Sequence, residues 1–213
     1  MGGCLPASRV RLSPQDFIRQ RMRLTPLPFR PDISLYRPHA QSGLHAWLAE
    51  MGREDAVPYW AYAWAGGAAL ALYLQDHPKL VAGKTVLDFG SGSGLVGIAA
   101  AKAGGVVTAF EPDAIGQCAT KLNAAANQVA ISVTDEVVDC DVVLAGDVFY
   151  NEAVAAQTLP ALRSLAAKGA HVLIGDPFRD ALPLEELEQI ADYGVPDMGS
   201  AEPVRAGVFT LRP

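Results

Sequence analysis

The stretch Thr85-Val86-Leu87-Asp88-Phe89-Gly90-Ser91-Gly92-Ser93-Gly94 runs from an apolar β-type segment through one acid into three alternating glycines. A short apolar run of this kind reads as a buried strand, and glycine at every second position lets the backbone turn tightly and approach a ligand closely. Leu95 to Ala103 follows as a helix whose first turn offers free N–H groups at the glycine end. Further out the alternation repeats. Val106 to Phe110 is a second strand, Pro112 to Asn127 a helix, Ile131 to Val133 a weak third strand and Asp141 to Ala145 a fourth. Val154 to Ala167 is helical and ends at Lys168-Gly169, a cationic last turn with glycine just beyond it. Ala170 to Ile174 is the fifth strand, Leu184 to Ala191 a short helix and Gly207 to Leu211 a last strand. Strands alternating with helices form a doubly wound, mostly parallel α/β sheet, which binds ligands beyond the carboxyl ends of its strands where strand order reverses. Upstream, Trp60, Trp64, Ala68, Ala71 and Leu74 recur every three or four residues, so one amphipathic helix runs from Pro58 to about His77, where Pro78 stops it. Before residue 55 the chain is rich in proline and arginine, with turns at Pro26-Leu27-Pro28 and Arg30-Pro31-Asp32 and a short helix from His45 to Met51. The chain thus divides into a basic, helical N-terminal extension over 1–57 and one domain over 58–213.

The glycine turn is a candidate cofactor site formed by Asp88, Gly90, Ser91, Gly92 and Gly94. Glu111 stands at the end of the second strand, where an acid accepts hydrogen bonds from two ribose hydroxyls. A dinucleotide is one reading, because Gly92-x-Gly94-x-x-Gly97 fits the corresponding glycine pattern and Glu111 would serve NAD or FAD equally well. Asp88 favours another: a carboxylate there repels a pyrophosphate and suits the ammonium of a methionine moiety, as in S-adenosylmethionine (SAM). A turn without a ligand is the third. Asp135 and Glu136, just past the third strand, are placed to accept from an adenine amino group or are plain surface acids. Trp64 either covers the cofactor or packs with Trp60 in the core. Cys4, Cys118 and Cys140 are widely spaced, without a Cys-x-x-Cys pair, so no metal site and a reducing compartment are expected.

The fourth strand runs into Gly146-Asp147-Val148-Phe149-Tyr150, which sets a carboxylate and two aromatic rings at the same sheet edge. Methyl transfer is an in-line displacement in which positioning outweighs a strong general base. Asp147 can orient an incoming ammonium, and Phe149 and Tyr150 can supply cation–π walls and a hydroxyl, making these the catalytic candidates. A strand end with core aromatics is the bland alternative.

These residues resemble the seven-β-strand protein lysine methyltransferases, whose signature after the fourth strand is Asp-x-x-Tyr, here Asp147-Val148-Phe149-Tyr150. Within that group the chain is most similar to the methyltransferases of the electron transfer flavoprotein β subunit. The likeness is carried by Pro58 to Gly67, Gly90 to Val96, Asn123 to Asn127, Ala145 to Tyr150 and Ile174-Gly175-Asp176-Pro177, and it spans about residues 58–178. It implies a seven-stranded, Rossmann-like class I fold, SAM as cofactor, and a protein substrate, the electron transfer flavoprotein β subunit. In that family an acid commonly follows the tyrosine, whereas here Asn151 precedes Glu152. A methyltransferase of small-molecule amines would use the same cofactor half. A non-catalytic SAM-fold subunit would have kept the turn but lost transfer, which the retained Asp147 and Tyr150 argue against.

Charge narrows the partners. Residues 1–40 hold seven arginines against Asp16 and Asp32, a net +5 that leaves −11 for the other 173 residues within the overall −6. An acidic domain disfavours nucleic acid. Arg9 to Arg23 reads as a targeting presequence, a phosphate-contacting arm or, more simply, a solvated helix on the acidic domain. At 213 residues and 50% hydrophobic the chain can bury a substantial core, yet it has no continuous apolar run that would cross a bilayer and no secretory signal, so a cytoplasmic enzyme away from membranes is expected.

Overall fold

The computed structural model describes residues 11–198 and 202–212; Cys4 and the start of the Arg9–Arg23 segment lie outside them. Seven strands form one sheet in the order β5-β4-β3-β6-β7-β9-β8: β3 (Thr85–Phe89), β4 (Val106–Phe110), β5 (Ile131–Thr134), β6 (Val142–Gly146), β7 (His171–Asp176), β8 (Leu187–Pro196) and β9 (Pro203–Leu211). The first five are mutually parallel, and β9 joins β7 antiparallel with β8 outside it. Strand order reverses at β3, which lies between β4 and β6. Val86 and Leu87 of β3 face opposite sides and are both buried, as befits a strand covered by helices on each face. One face packs on α3 (Ala65–Asp76) and α4 (Leu95–Lys102), the other on α6 (Glu152–Ala167), giving two apolar clusters. The doubly wound sheet therefore stands as the sequence predicts.

Three elements differ. The expected helix from Pro58 begins only at Ala65: Tyr59–Ala61 is a single 3-10 turn, and Tyr62 and Trp64 are extended. The three-and-four spacing persists because Trp60 and the α3 residues are buried on separate elements, in different clusters. The short helix expected over Leu184–Ala191 is mostly β8, which pairs with β9 along its length. A bulge between Gln189 and Ala191 breaks the two-residue alternation and mimics helical spacing. The proline-rich N-terminal turns belong to a hairpin, β1 (Arg23–Leu27) with β2 (Arg30–Arg37), whose two strands are both edges and so tolerate Pro26 and Pro31.

The extension is docked. Leu27, Ile33 and Leu35 of the hairpin join the α3–α4 core, while α1 (Pro14–Arg21) and α2 (Leu44–Glu50) pack Phe17, Ile18, Trp47 and Leu48 with Trp60 against α5 (Ala114–Ala126). Backbone of β2 is held by α5 and its cap: Asn123 Oδ1 accepts the Tyr36 N–H at 2.8 Å, and Asn127 brackets Ser34 with both ends of its amide. Among the described residues no helix is long and apolar enough to cross a membrane, and no cluster of three His, Cys, Asp or Glu residues is arranged to hold a metal ion.

Candidate functional site

A cavity of about 820 Å3 opens beyond the carboxyl ends of β3, β4 and β6, at the reversal of strand order. Asp88, Gly90, Ser91, Gly92 and Glu111 line one half of it. The turn can form because Gly90, Gly92 and Gly94 take left-handed φ values of 72°, 51° and 79°, which side chains resist. Gly94 stands just behind the wall and caps α4. Asp88 is 2% exposed and accepts one bond, from the Gly97 N–H at 2.8 Å. Burial pushes its carboxyl up to about 7, the Gly97 N–H pulls it down, and the charge of Glu111 adds to the rise. Glu111 clamps the turn from the next strand: Oε2 accepts the Gly92 N–H at 2.7 Å and Oε1 the Asp113 N–H at 2.9 Å. Burial also raises its carboxyl, against those two N–H groups. Behind the turn, Thr120 bonds Ser91 Oγ and the Gly92 carbonyl, and Asn123 bonds the Ser93 carbonyl.

The other half is assembled from distant segments. Asp147 directly follows β6 in a left-handed conformation, φ 57°, which aspartate tolerates better than most residues. Its Oδ2 accepts the Gly67 N–H at 3.0 Å, and its Oδ1 accepts Nη2 and Nε of Arg179 at 2.6 and 3.2 Å. Glycine at 66 permits this, since a Cβ there would lie 2.1 Å from the Gly175 oxygen and 2.7 Å from Asp147 Oδ2. Burial raises the Asp147 carboxyl, and the Arg179 guanidinium opposes it. Asp176, at the end of β7, is fully buried; Oδ1 accepts the Arg179 N–H at 2.7 Å, and Oδ2 has no hydrogen-bond partner among the described residues. Burial drives that carboxyl up to about 7 against the Arg179 N–H, and the Asp147 charge reinforces the rise. Asp197, beyond β8, completes three carboxylates around one guanidinium, with Oδ2 3.8 Å from Arg179 Nη2. Aromatic rings wall the mouth: Tyr59 lies 4.6 Å from Tyr150 and 5.6 Å from Trp64, whose indole N–H is tied to the Tyr59 carbonyl.

Most of the residues singled out from the sequence therefore share one cavity: Trp64, Asp88, Gly90, Ser91, Gly92, Glu111, Asp147 and Tyr150. Two do not. Phe149 is fully buried in the apolar cluster under α6 and off the wall, so it must be corrected from a cation-facing ring to a core residue; on a chain turning back from a strand, neighbouring side chains point to opposite sides. Asp135 is exposed and likewise off the wall, which Val137 reaches instead. Asn151, which departs from the family's acid, caps α6 by accepting the Val154 N–H at 2.9 Å. Arg179, Asp197 and Tyr59 were not legible as site residues. The only local signal was Ile174-Gly175-Asp176-Pro177, an acid and a proline at a strand end, two residues before the arginine.

Comparison with known proteins agrees with this geometry. The model of the lysine methyltransferase family matches residues 54–182. The chain is 40% identical over 153 residues to the electron transfer flavoprotein β subunit lysine methyltransferase of Danio rerio, covering 66% of this chain and 59% of that protein. It is 32% identical to the Xenopus laevis protein of that name, covering 89% and 82%. Several of these relatives are thus longer than the region they share with the chain. Among solved structures, the C-terminal domain of precorrin-6Y C5,15-methyltransferase from Rhodobacter capsulatus superposes with a TM-score of 0.50 at 15% identity, over 74% of this chain and 97% of that one, a likeness of fold alone. Sequence match, cavity position and the Asp147–Tyr150 signature converge, and the chain belongs to the lysine methyltransferase family.

Proposed function

We propose that the chain binds SAM in the glycine-turn half of the cavity and methylates a lysine side chain of a protein, the electron transfer flavoprotein β subunit. The observation that carries the reading is the meeting of Asp88 and Glu111 with Asp147 and Tyr150 in one cavity, in a chain whose relatives bear that activity in their names. The residues present fit the cofactor. Asp88 is a buried carboxyl with a single backbone bond, raised to about 7 by burial, and lines the cavity where it would pair with a methionine ammonium. Glu111 accepts one N–H on each oxygen and keeps lone pairs for ribose hydroxyls. Trp64 stands at the cavity wall as a cover.

When bound, SAM supplies an electrophilic methyl carbon on a cationic sulfur. The chain's own contribution is placement. Asp147 draws the lysine ammonium to the end of β6, where one proton must leave for water before the nitrogen lone pair can take the methyl, leaving the sulfur as a neutral thioether; the rings of Tyr59, Trp64 and Tyr150 offer cation-tolerant walls around its methylenes. The acidic domain steers basic protein surfaces toward the cavity.

The test is intact mass spectrometry of the host's flavoprotein β subunit, incubated with SAM with and without the enzyme. Mass increments of one methylene each are expected on a lysine. No increment, together with rapid methylation of a free metabolite amine, overturns the protein substrate in favour of a small-molecule amine.

A further inference from the structure

The carboxylate expected to meet the substrate is already paired. Arg179 donates twice to Asp147 Oδ1, at 2.6 and 3.2 Å, and both side chains line the cavity. The arginine side chain is 24% exposed and Asp147 8%, so the pair is reached from solvent chiefly at the arginine. It also has an alternative berth. Asp197 Oδ2 is 3.8 Å from Nη2, and the Trp64 ring centre is 5.6 Å from the guanidinium carbon. Asp197 is fixed in place by the Ala65 N–H, 3.1 Å from its Oδ1. The Arg179 backbone is anchored separately, through its N–H to Asp176, so the side chain can move while the turn stays.

The geometry points to Arg179 as a displaceable stand-in for the substrate cation, holding Asp147 at rest and yielding it, by swinging toward Asp197 and Trp64, to a lysine presented by a docked protein. This rests on the lysine reading of the site. The stand-in keeps a buried carboxylate from being left unpaired, which is costly. It also makes the site selective. A tethered guanidinium competes at an effective concentration of roughly millimolar or above, so a free amine at lower bulk concentration is at a disadvantage. A lysine on a docked protein is tethered too and competes on equal footing. Arg179 is thus a positioning residue that discriminates protein-held lysine from free amines.

The probe is n-butylammonium, titrated by NMR into the full chain with S-adenosylhomocysteine present. Arg179→Ala is expected to bind it at least roughly tenfold more tightly than the wild type, the scale of a lost charge-assisted competitor, and with SAM to methylate it. Arg179→Lys restores a tethered cation and is expected to return toward wild-type exclusion, a rescue that a merely structural role would not produce. Should Arg179→Ala fail to fold by circular dichroism, Arg179→Gln replaces it with the same expected sign. Equal butylammonium affinity in the wild type and a folded variant overturns the stand-in. A wild type that methylates the flavoprotein beside such a result would leave the substrate reading standing. A tenfold gain in binding without flavoprotein methylation would support the stand-in and sink that reading.

Discussion

The two halves of the cavity are built by different means. The cofactor half draws on one stretch, from Asp88 to Asn123, and is fastened by backbone donors: Gly97 to Asp88, Gly92 and Asp113 to Glu111. The acceptor half gathers Tyr59 and Trp64, Asp147 and Tyr150, Asp176 and Arg179, and Asp197; besides backbone donors at Gly67, Arg179 and Ala65 it has a guanidinium and aromatic rings that meet across long sequence separations. Backbone donors are fixed by the fold, whereas the Arg179 side chain lies within reach of both Asp147 and Asp197. On the proposed function, the half held by backbone donors takes the cofactor and the half with the mobile side chain takes the substrate.

The largest expected effect breaks the cofactor half. Glu111→Ala removes an acceptor for two backbone N–H groups as well as for ribose hydroxyls, and should weaken S-adenosylhomocysteine binding by about 1.5–4 kcal/mol in calorimetry while circular dichroism stays unchanged. Affinity within a factor of about two of the wild type would remove Glu111 from the cofactor. Asp147→Asn addresses the acceptor half and should lower kcat/KM on the protein substrate by roughly 10–100-fold, with cofactor affinity moving less than about threefold. If cofactor affinity fell and turnover at saturation did not, the two halves would not be separable.

The pH dependence sharpens the comparison, because the raised Asp88 carboxyl belongs to the cofactor half. Its ionised form suits an ammonium, and with a value of about 7 that form grows as pH rises; S-adenosylhomocysteine affinity should climb roughly tenfold from pH 6 to its plateau above pH 8. For the free protein the sign is opposite. Between the ordinary value of 3.8 and about 7 the unfolded chain is ionised while folded Asp88 holds its proton, so this group's contribution to stability falls as pH rises through that window. A flat binding profile would separate Asp88 from the ammonium. The smallest expected effect lies at Asn151. Asn151→Ala loses the α6 cap and about 1 kcal/mol of stability in denaturant titration, whereas Asn151→Asp keeps a capping oxygen and should match the wild type.

The same division explains what the sequence disclosed. Strands β3 and β4 were bounded correctly and Asp88, the glycines and Glu111 fell together because their geometry is local: a strand, a left-handed turn and the next strand end. Asp147 and Tyr150 can be placed at the cavity from the end of the fourth strand, whereas Phe149 cannot, because sequence adjacency does not say which side of a turning chain each residue faces. Arg179 and Asp197 were invisible because their meeting with Asp147 depends on where β7, β8 and the chain beyond them return, and a bulge had disguised β8 as helix. The N-terminal hairpin was hidden for a related reason, since its prolines signal turns in any strand that is not an edge.

That hairpin has a consequence for how the protein is made. Tyr36 and Ser34 take their partners from Asn123 and Asn127, 87 and 93 residues later in the chain. At roughly 5–20 residues per second, a ribosome needs about 5–20 s to supply them. For the earlier part of that interval, until α3 and α4 have been made, Leu27, Ile33 and Leu35 lack the helices that bury them. The nascent chain therefore carries an unshielded apolar ribbon during that part of translation, and conditions that slow elongation between residues 37 and 102 would lengthen its exposure to chaperones and to aggregation.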